Sequence, residues 1–409
     1  MTEKQCRPPS FPGGTRFILA GSLIDGTGAE VRRNVFLKVT DTIITAIGSA
    51  ADLPSNDRAA IDDFSHCVIL PALVDCSVSL SRSPSVDLRV RLSSEEGDVA
   101  KKISMLERHI RDCQAHGVLG LADSDDSGLV ARYQKELAQE SIIDLLSSGP
   151  LCRSNQDCAT GNSTTGDFLK IGYSANIEDD HVPDPRLSPE ELRNILQHKG
   201  GRKAVVVANG VQQVAEALAA GCDAIEQGYG MGEENLRKMA KQDVLWIPSV
   251  LRAKNGLDGA SSGGSVCCRF SIRYVAPGKP IPGAEDFWKK TLAEQLTQLR
   301  FARELGVKTA VGTGAGSVGI LHGESMAEEI KLFIKAGYSL EEAIRCGSEN
   351  GAGFFGMEKL GTLTVGRKAT FLISRGTVQQ LPRKLSYLEG IYVDGAPSST
   401  YRKNPVKTG

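Results

Sequence analysis

Neither sign of charge is in excess in this sequence: 48 Lys and Arg residues stand against 49 Asp and Glu. That balance removes the electrostatic footprint of a chain that tracks a phosphate backbone or an anionic membrane, so neither nucleic acid nor membrane is an expected partner. Long hydrophobic runs are missing too, and no window approaches the roughly 18 uninterrupted apolar residues of a membrane span. Residues 1–14 are polar and include Pro8, Pro9 and Pro12, so they lack the apolar stretch of a secretory signal. A cytoplasmic protein is expected. None of the ten cysteines belongs to a Cys-x-x-Cys pair, which excludes the common zinc and redox motifs and leaves reduced, buried thiols as the expectation. The adjacent Cys267 and Cys268 are read as loop residues, because neighbouring cysteines alone make a poor chelate.

What is present is a chain of 409 residues, 41% hydrophobic, enough for one large domain and a small one. Short strands and turns fill residues 15–50, among them Phe17-Ile18-Leu19, Leu23-Ile24 before Asp25-Gly26-Thr27-Gly28, and Val35-Phe36-Leu37. The other end is alike, with Gly361–Gly366, residues 369–373, and Ile391-Tyr392-Val393 before Asp394-Gly395. Each set is too small to bury a core alone, so residues 1–67 and 358–409 are expected to combine into one small β-sandwich.

Between them, over residues 68–357, strands and helices alternate, the pattern of a parallel sheet. Strands are expected at 68–80, 118–122, 142–147, 167–173, 203–209, 224–228, 245–251 and 308–314. Eight such strands close a barrel, so the fold class is α/β, a (β/α)8 TIM barrel with the composite β-sandwich. Ser188-Pro189-Glu190-Glu191 has the N-cap, N1 proline and first-turn acids of a helix start, and residues 285–306 carry an amphipathic run ending at a glycine. Two loops stand at the face opposite the strands' N-terminal ends: 150–166 is polar and turn-rich, and 252–284, rich in Gly, Ser and Pro without periodicity, is read as a mobile cover over the barrel mouth or as a disordered ornament.

Residues 68–80, Val-Ile-Leu-Pro-Ala-Leu-Val-Asp-Cys-Ser-Val-Ser-Leu, resemble the first barrel strand of the metal-dependent amidohydrolase superfamily, where a similar frame leads into His-x-His. Ser77 and Ser79 stand at the two histidine positions. Four more segments resemble that superfamily in order, closest to its imidazolonepropionase and prolidase-like branch. Residues 167–171 match the strand of the metal-bridging carboxylated lysine, with Lys170 retained; residues 204–210 match a histidine strand, with Val207 at the ligand position. Residues 223–228 match Ile-Glu-His-Gly with Gln227 at the histidine, and residues 311–316 match Gly-Thr-Asp-Ala-Gly with Gly314 at the catalytic aspartate. The resemblance implies the barrel, zinc, and hydrolysis of carbon–nitrogen bonds.

Residue chemistry points elsewhere. Alternate side chains of a barrel strand face inward, so Ser77 and Ser79 point into the mouth while Cys76 and Val78 face the helices. Serine hydroxyls and a glutamine amide are weak zinc ligands, and valine and glycine offer none. An empty metal site, a free Lys170 amine and no cofactor are therefore expected. Gly314 also removes the carboxylate that would move a proton in the resembled enzymes. Desolvation disfavours the charged form of an inward lysine, so Lys170 is a base or Schiff-base candidate; its alternative is a relic paired with an acid or water. Asp123-Ser124-Asp125-Asp126 offers oxygens to Mg2+ or Ca2+, or caps the next helix. His322 either touches a ligand or is structural, and Gly312, Gly314 and Gly316 would let backbone amides hold an anion.

Two functions remain in view. One is a homologue without metal-dependent hydrolysis, acting as a small-molecule binding protein or as a partner subunit assembling with itself or an active relative. The other is a carbon–nitrogen hydrolase with an unorthodox site centred on Lys170.

Overall fold

The computed structural model describes residues 14–53, 60–124, 128–137, 142–154, 166–174, 177, 187–260 and 282–401. Three N-terminal strands, β1 (Thr15–Leu23), β2 (Arg32–Thr40) and β3 (Ile43–Ser49), are linked by antiparallel pairing, and β1 also pairs in parallel with β4 (Ala60–Pro71). The chain then enters the barrel through β5 (Leu73–Val78), so Val68–Pro71 belong to the terminal sheet and the barrel strand starts two residues past Pro71.

The barrel staves are β5, β6 (Val118–Asp123), β7 (Asp144–Ser147), β8 (Leu169–Gly172), β9 (Ala204–Ala208), β10 (Ala224–Gln227) and β11 (Leu245–Ile247), all pairing in parallel with their neighbours as β5-β6-β7 and β8-β9-β10-β11. The two arcs join where Asp167 N donates to Ser147 O at 2.8 Å. Residues 308–315 supply the eighth stave. They touch β11 at the Trp246–Thr309 bridge and β5 at the Val78–Ala315 bridge, and are otherwise irregular. Gly314 and Gly316 take positive φ there, which interrupts regular pairing. Asp75 rivets this seam: its Oδ1 accepts from Thr313 N at 2.9 Å and its Oδ2 from Thr313 Oγ1 at 2.5 Å.

Helices cover the barrel. Those before β10 are α1 (Leu88–Glu95), α2 (Val99–Ala115), α3 (Leu129–Leu137), α4 (Pro189–Gln197) and α5 (Val211–Ala220). After it come α6 (Gly232–Gln242), α7 (Val250–Ala260), α8 (Ala284–Leu305), α9 (Ser325–Lys335), α10 (Leu340–Cys346) and α11 (Glu349–Phe355). Helix α4 begins as its sequence predicts, with a Ser188–Glu191 capping box and Pro189 in the first turn, and buries Leu192, Ile195 and Leu196. Helix α8 ends at Gly306 in the left-handed region, also as predicted.

Helix α7 corrects one expectation, because its residues fall largely within the segment 252–284 read as loop. Glycines at 256 and 259 weaken its periodicity, but Val250, Leu251 and Ala253 are buried, and the carboxylate of Glu329 on α9 accepts from the Val250 and Leu251 amides at 2.8 and 2.6 Å. Cys267, Cys268, Asp125 and Asp126 lie outside the described residues, as does most of the 150–166 loop.

After α11 the chain returns to the terminal sheet through β12 (Phe371–Arg375), β13 (Gly390–Val393) and β14 (Ala396–Pro397), giving one seven-stranded sheet in the order β14-β13-β12-β4-β1-β2-β3. Both ends of the chain thus build one β-rich unit with its own core, including Ile18, Leu37, Ile69, Phe371 and Ile373. Among the described residues no helix is long and apolar enough to cross a membrane.

Candidate functional site

Parallel barrels present their functional groups at the C-terminal ends of the strands, so these ends are where buried polar groups carry meaning. Strand β10, Ala-Ile-Glu-Gln, is buried at all four positions. A carboxylate in such a strand costs several kcal/mol unless it is paired. Glu226 is paired twice: Oε1 accepts from Ser77 Oγ at 2.8 Å, and Oε2 lies 2.6 Å from Lys170 Nζ. Lys170 Nζ also donates to Ser124 Oγ at 2.6 Å. Ser77 and Lys170 are thus brought together, through a glutamate that sequence reasoning passed over in favour of its neighbour Gln227. The available signal was a lone charge in an otherwise apolar, buried strand.

Of the remaining candidates, Ser79 and Gly314 touch the cluster through the backbone carbonyls of Ser124 and Ser77, and the others are held elsewhere. Ser79 Oγ donates to Ser124 O at 3.2 Å. Gln227 adopts a left-handed φ of 71° and accepts from Asn209 Nδ2 at 2.8 Å, while its carbonyl accepts from Trp246 Nε1 and Gln295 Nε2. Val207 is buried. Gly314 N donates to Ser77 O at 2.8 Å, and a Cβ at Gly314 would stand 2.5 Å from Arg252 Nε. The guanidinium of Arg252, on α7, therefore lies against the position matched to the family's aspartate. Asp123 is buried and accepts from Leu80 N at 2.7 Å, tying β6 to the end of β5.

His322 stacks on His109 of α2, with ring centroids 3.9 Å apart and planes 16° off parallel, a pairing the sequence did not suggest. His322 Nε2 donates to Ser79 O at 3.0 Å and His109 Nδ1 to Leu80 O at 2.8 Å, which fixes both tautomers; His322 Nδ1 meets no hydrogen-bond partner among the described residues. Burial, then the neighbouring His109, pushes the His322 pKa well below its ordinary value, and burial also lowers that of His109. Deeper in the barrel, burial lifts Asp75 to about 6 against the opposing Thr313 hydrogen bonds. Cys76 is buried, and burial raises its thiol well above the ordinary range, as befits a packing residue.

Zinc requires imidazole, thiolate or carboxylate donors converging from three sides. Among the described residues no group of three or more His, Cys, Asp or Glu side chains is so arranged. Among the described residues the carboxylate in contact with Lys170 is that of Glu226, already paired with the ammonium, so these residues do not fit a transition metal.

An eight-staved parallel barrel with a sheet built from both chain ends, and its polar residues gathered at the strand ends, defines the chain as a TIM-barrel α/β protein. The amidohydrolase family profile matches residues 181–403, more than half of the 409 residues, and the chain belongs to that family. An uncharacterized protein of Mycobacterium tuberculosis (strain CDC 1551 / Oshkosh) is 24% identical over 293 residues, covering 68% of this chain and 71% of that protein. Among solved structures the fold is similar to a Xaa-Pro dipeptidase with bound methionine in the active site (TM-score 0.77, 19% identity, 94% of this chain and 99% of that one). It is similar as well to A. niger ochratoxinase (TM-score 0.76, 18% identity, 96% of each chain). A third similar structure is a prolidase complexed with N-methylphosphonate-L-proline (TM-score 0.73, 14% identity, 94% and 99%).

Proposed function

We propose that this amidohydrolase-family protein has lost metal-dependent carbon–nitrogen hydrolysis and serves in the cytoplasm either as a small-molecule binding protein or as a partner subunit that assembles with itself or with an active relative. The observation that carries the proposal is the donor set at the strand ends. Ser77, Ser79, Val207 and Gln227 supply hydroxyls, a methyl surface and an amide where a metal centre needs imidazoles, and Gly314 supplies no base. No cofactor is needed for such a role.

Elemental analysis of purified protein tests the first half: zinc well below one atom per chain is expected, and about one tightly held atom per chain would overturn it. The ligand is sought first among amino acids and N-acyl dipeptides, because two proteins of similar fold carry methionine and a phosphonate-proline in their structures. A ligand of this class should raise the melting temperature in a concentration-dependent way.

One contact favours a second reading, metal-free hydrolysis: Ser124 Oγ lies 2.6 Å from Lys170 Nζ, within reach for a nucleophile and its base. Turnover of lactams, hydantoins or acyl-dipeptides that disappears in Lys170→Ala would support it. Turnover unchanged in that variant would remove Lys170 from the chemistry.

A further inference from the structure

The cluster around Glu226 has a topology that sheet pairing does not provide. The neighbours of β10 in the barrel are β9 and β11. Yet Glu226 reaches Ser77 on β5 and Lys170 on β8, and Lys170 reaches Ser124 at the end of β6. These contacts cross the barrel mouth between staves that are not paired with each other in the sheets. Their charged members are almost dry, with side chains 7% exposed for Lys170 and 2% for Glu226. Two opposite charges buried together stabilise each other, whereas either alone is strongly disfavoured, so each makes sense only in the presence of the other.

We propose that the Lys170 ammonium takes over the structural place of a metal cation at this mouth: a fixed internal cation that neutralises Glu226 and, with the Ser77 and Ser124 hydroxyls, braces four staves. The inference rests on the proposed absence of a transition metal from the site. It goes further by giving Lys170 a role that requires its charge, and by naming Glu226 as the partner that makes the charge tolerable. Both ends of the brace are serines, whose hydroxyls donate or accept equally well. The brace is therefore indifferent to which end carries which sign.

Denaturant unfolding of the full chain tests this. The wild-type midpoint should be unchanged by EDTA or by added zinc sulfate. Lys170→Met alone should lower the folding equilibrium constant roughly 100-fold or more, and Lys170→Met with Glu226→Leu should recover at least about tenfold of that loss. Should Lys170→Met fail to fold, the reversed pair decides: Lys170→Glu with Glu226→Lys should restore soluble, cooperatively unfolding protein that Lys170→Glu alone does not give. Independent effects of the two positions, with no recovery in either double variant, would overturn the brace. A wild-type midpoint that falls in EDTA would overturn it as well. Zinc found in the purified protein strikes at the proposed function, whereas uncoupled variants in zinc-free protein strike at the brace alone, so the two failures are distinguishable.

Discussion

Arg16 and Asp62 join neighbouring strands of the terminal sheet with side chains still 17% and 21% exposed, whereas Lys170 and Glu226 join separated staves at the barrel mouth with 7% and 2% exposed. The terminal sheet has an apolar core, and the ion pair lies on its interior strands β1 and β4, where Asp62 also accepts from Tyr392 Oη at 2.6 Å. At the mouth the charges sit inside, where they cost most and serve folding least economically. The difference teaches where this molecule tolerates expense. A sheet whose role is to close the two chain ends together is built from side chains that need no partner, and a barrel mouth inherited from a family of enzymes keeps buried polar groups that each need one.

The largest effect expected in the barrel, apart from breaking the Lys170–Glu226 pair, comes from Asp75. Asp75→Ala strands the Thr313 amide and hydroxyl and the Ser77 amide, all of which donate to it now. Buried donors left without acceptors cost about 1–3 kcal/mol each, so a loss of several kcal/mol, read as a drop in urea midpoint, is expected. A loss below about 1 kcal/mol would mean that water replaces the carboxylate at the seam, and the barrel would then be less dry than the terminal sheet.

Next in size is the response to acid. The unfolded histidines take up protons below about 6.5 while the buried pair resists, so their contribution is intact above that pH and is lost as pH falls. Asp75 acts with the opposite sign: the native carboxyl holds its proton up to about 6 and the unfolded one releases it near 3.8, so stability declines as pH rises through that window. His322→Gln keeps a donor for the Ser79 carbonyl and removes one titrating ring. Its melting temperature should fall less than that of the wild type between pH 6.5 and pH 5. Identical slopes would show that His322 titrates as freely as an exposed ring.

Restoring an aspartate at Gly314 should give a smaller loss and no gain. The position has a φ of 71°, and a Cβ there meets Arg252 Nε at 2.5 Å. Gly314→Asp is therefore expected to cost about 1–3 kcal/mol and to pair with the guanidinium instead of acting as a base. Zinc-dependent hydrolysis appearing in this variant would show that the remaining donors suffice after all.

The barrel was legible because its marks are local: the frame Ile-Leu-Pro-Ala-Leu-Val-Asp, which runs from β4 into β5, and the capping residues Ser188 and Glu191 act over a few neighbouring residues. What stayed hidden depends on partners far apart in sequence. Helix α7 looks like loop until Glu329, 79 residues away, caps it. The stacking of His109 on His322, and of Arg252 against Gly314, is likewise set by the closed barrel and not by neighbouring residues. Glu226 was overlooked for a different reason. The family pattern marks Gln227 as the ligand position, whereas burial energetics single out the charge beside it.

The smallest expected effect sharpens the opening contrast most. Arg16→Met removes a pair of the same chemical kind as Lys170–Glu226, also between strands. Asp62 would keep the Tyr392 hydroxyl and gain water at its exposed edge, so no charge is stranded in a dry site. The expected cost is about 0–1 kcal/mol, smaller still at high salt, where exposed charges are screened within about 10 Å. Measuring the urea midpoints of Arg16→Met and Lys170→Met side by side at low and high salt places the two regions on one scale. Should Arg16→Met lose as much as Lys170→Met, burial would not be what separates them, and the ion pair at the mouth would have no special claim to hold the barrel together.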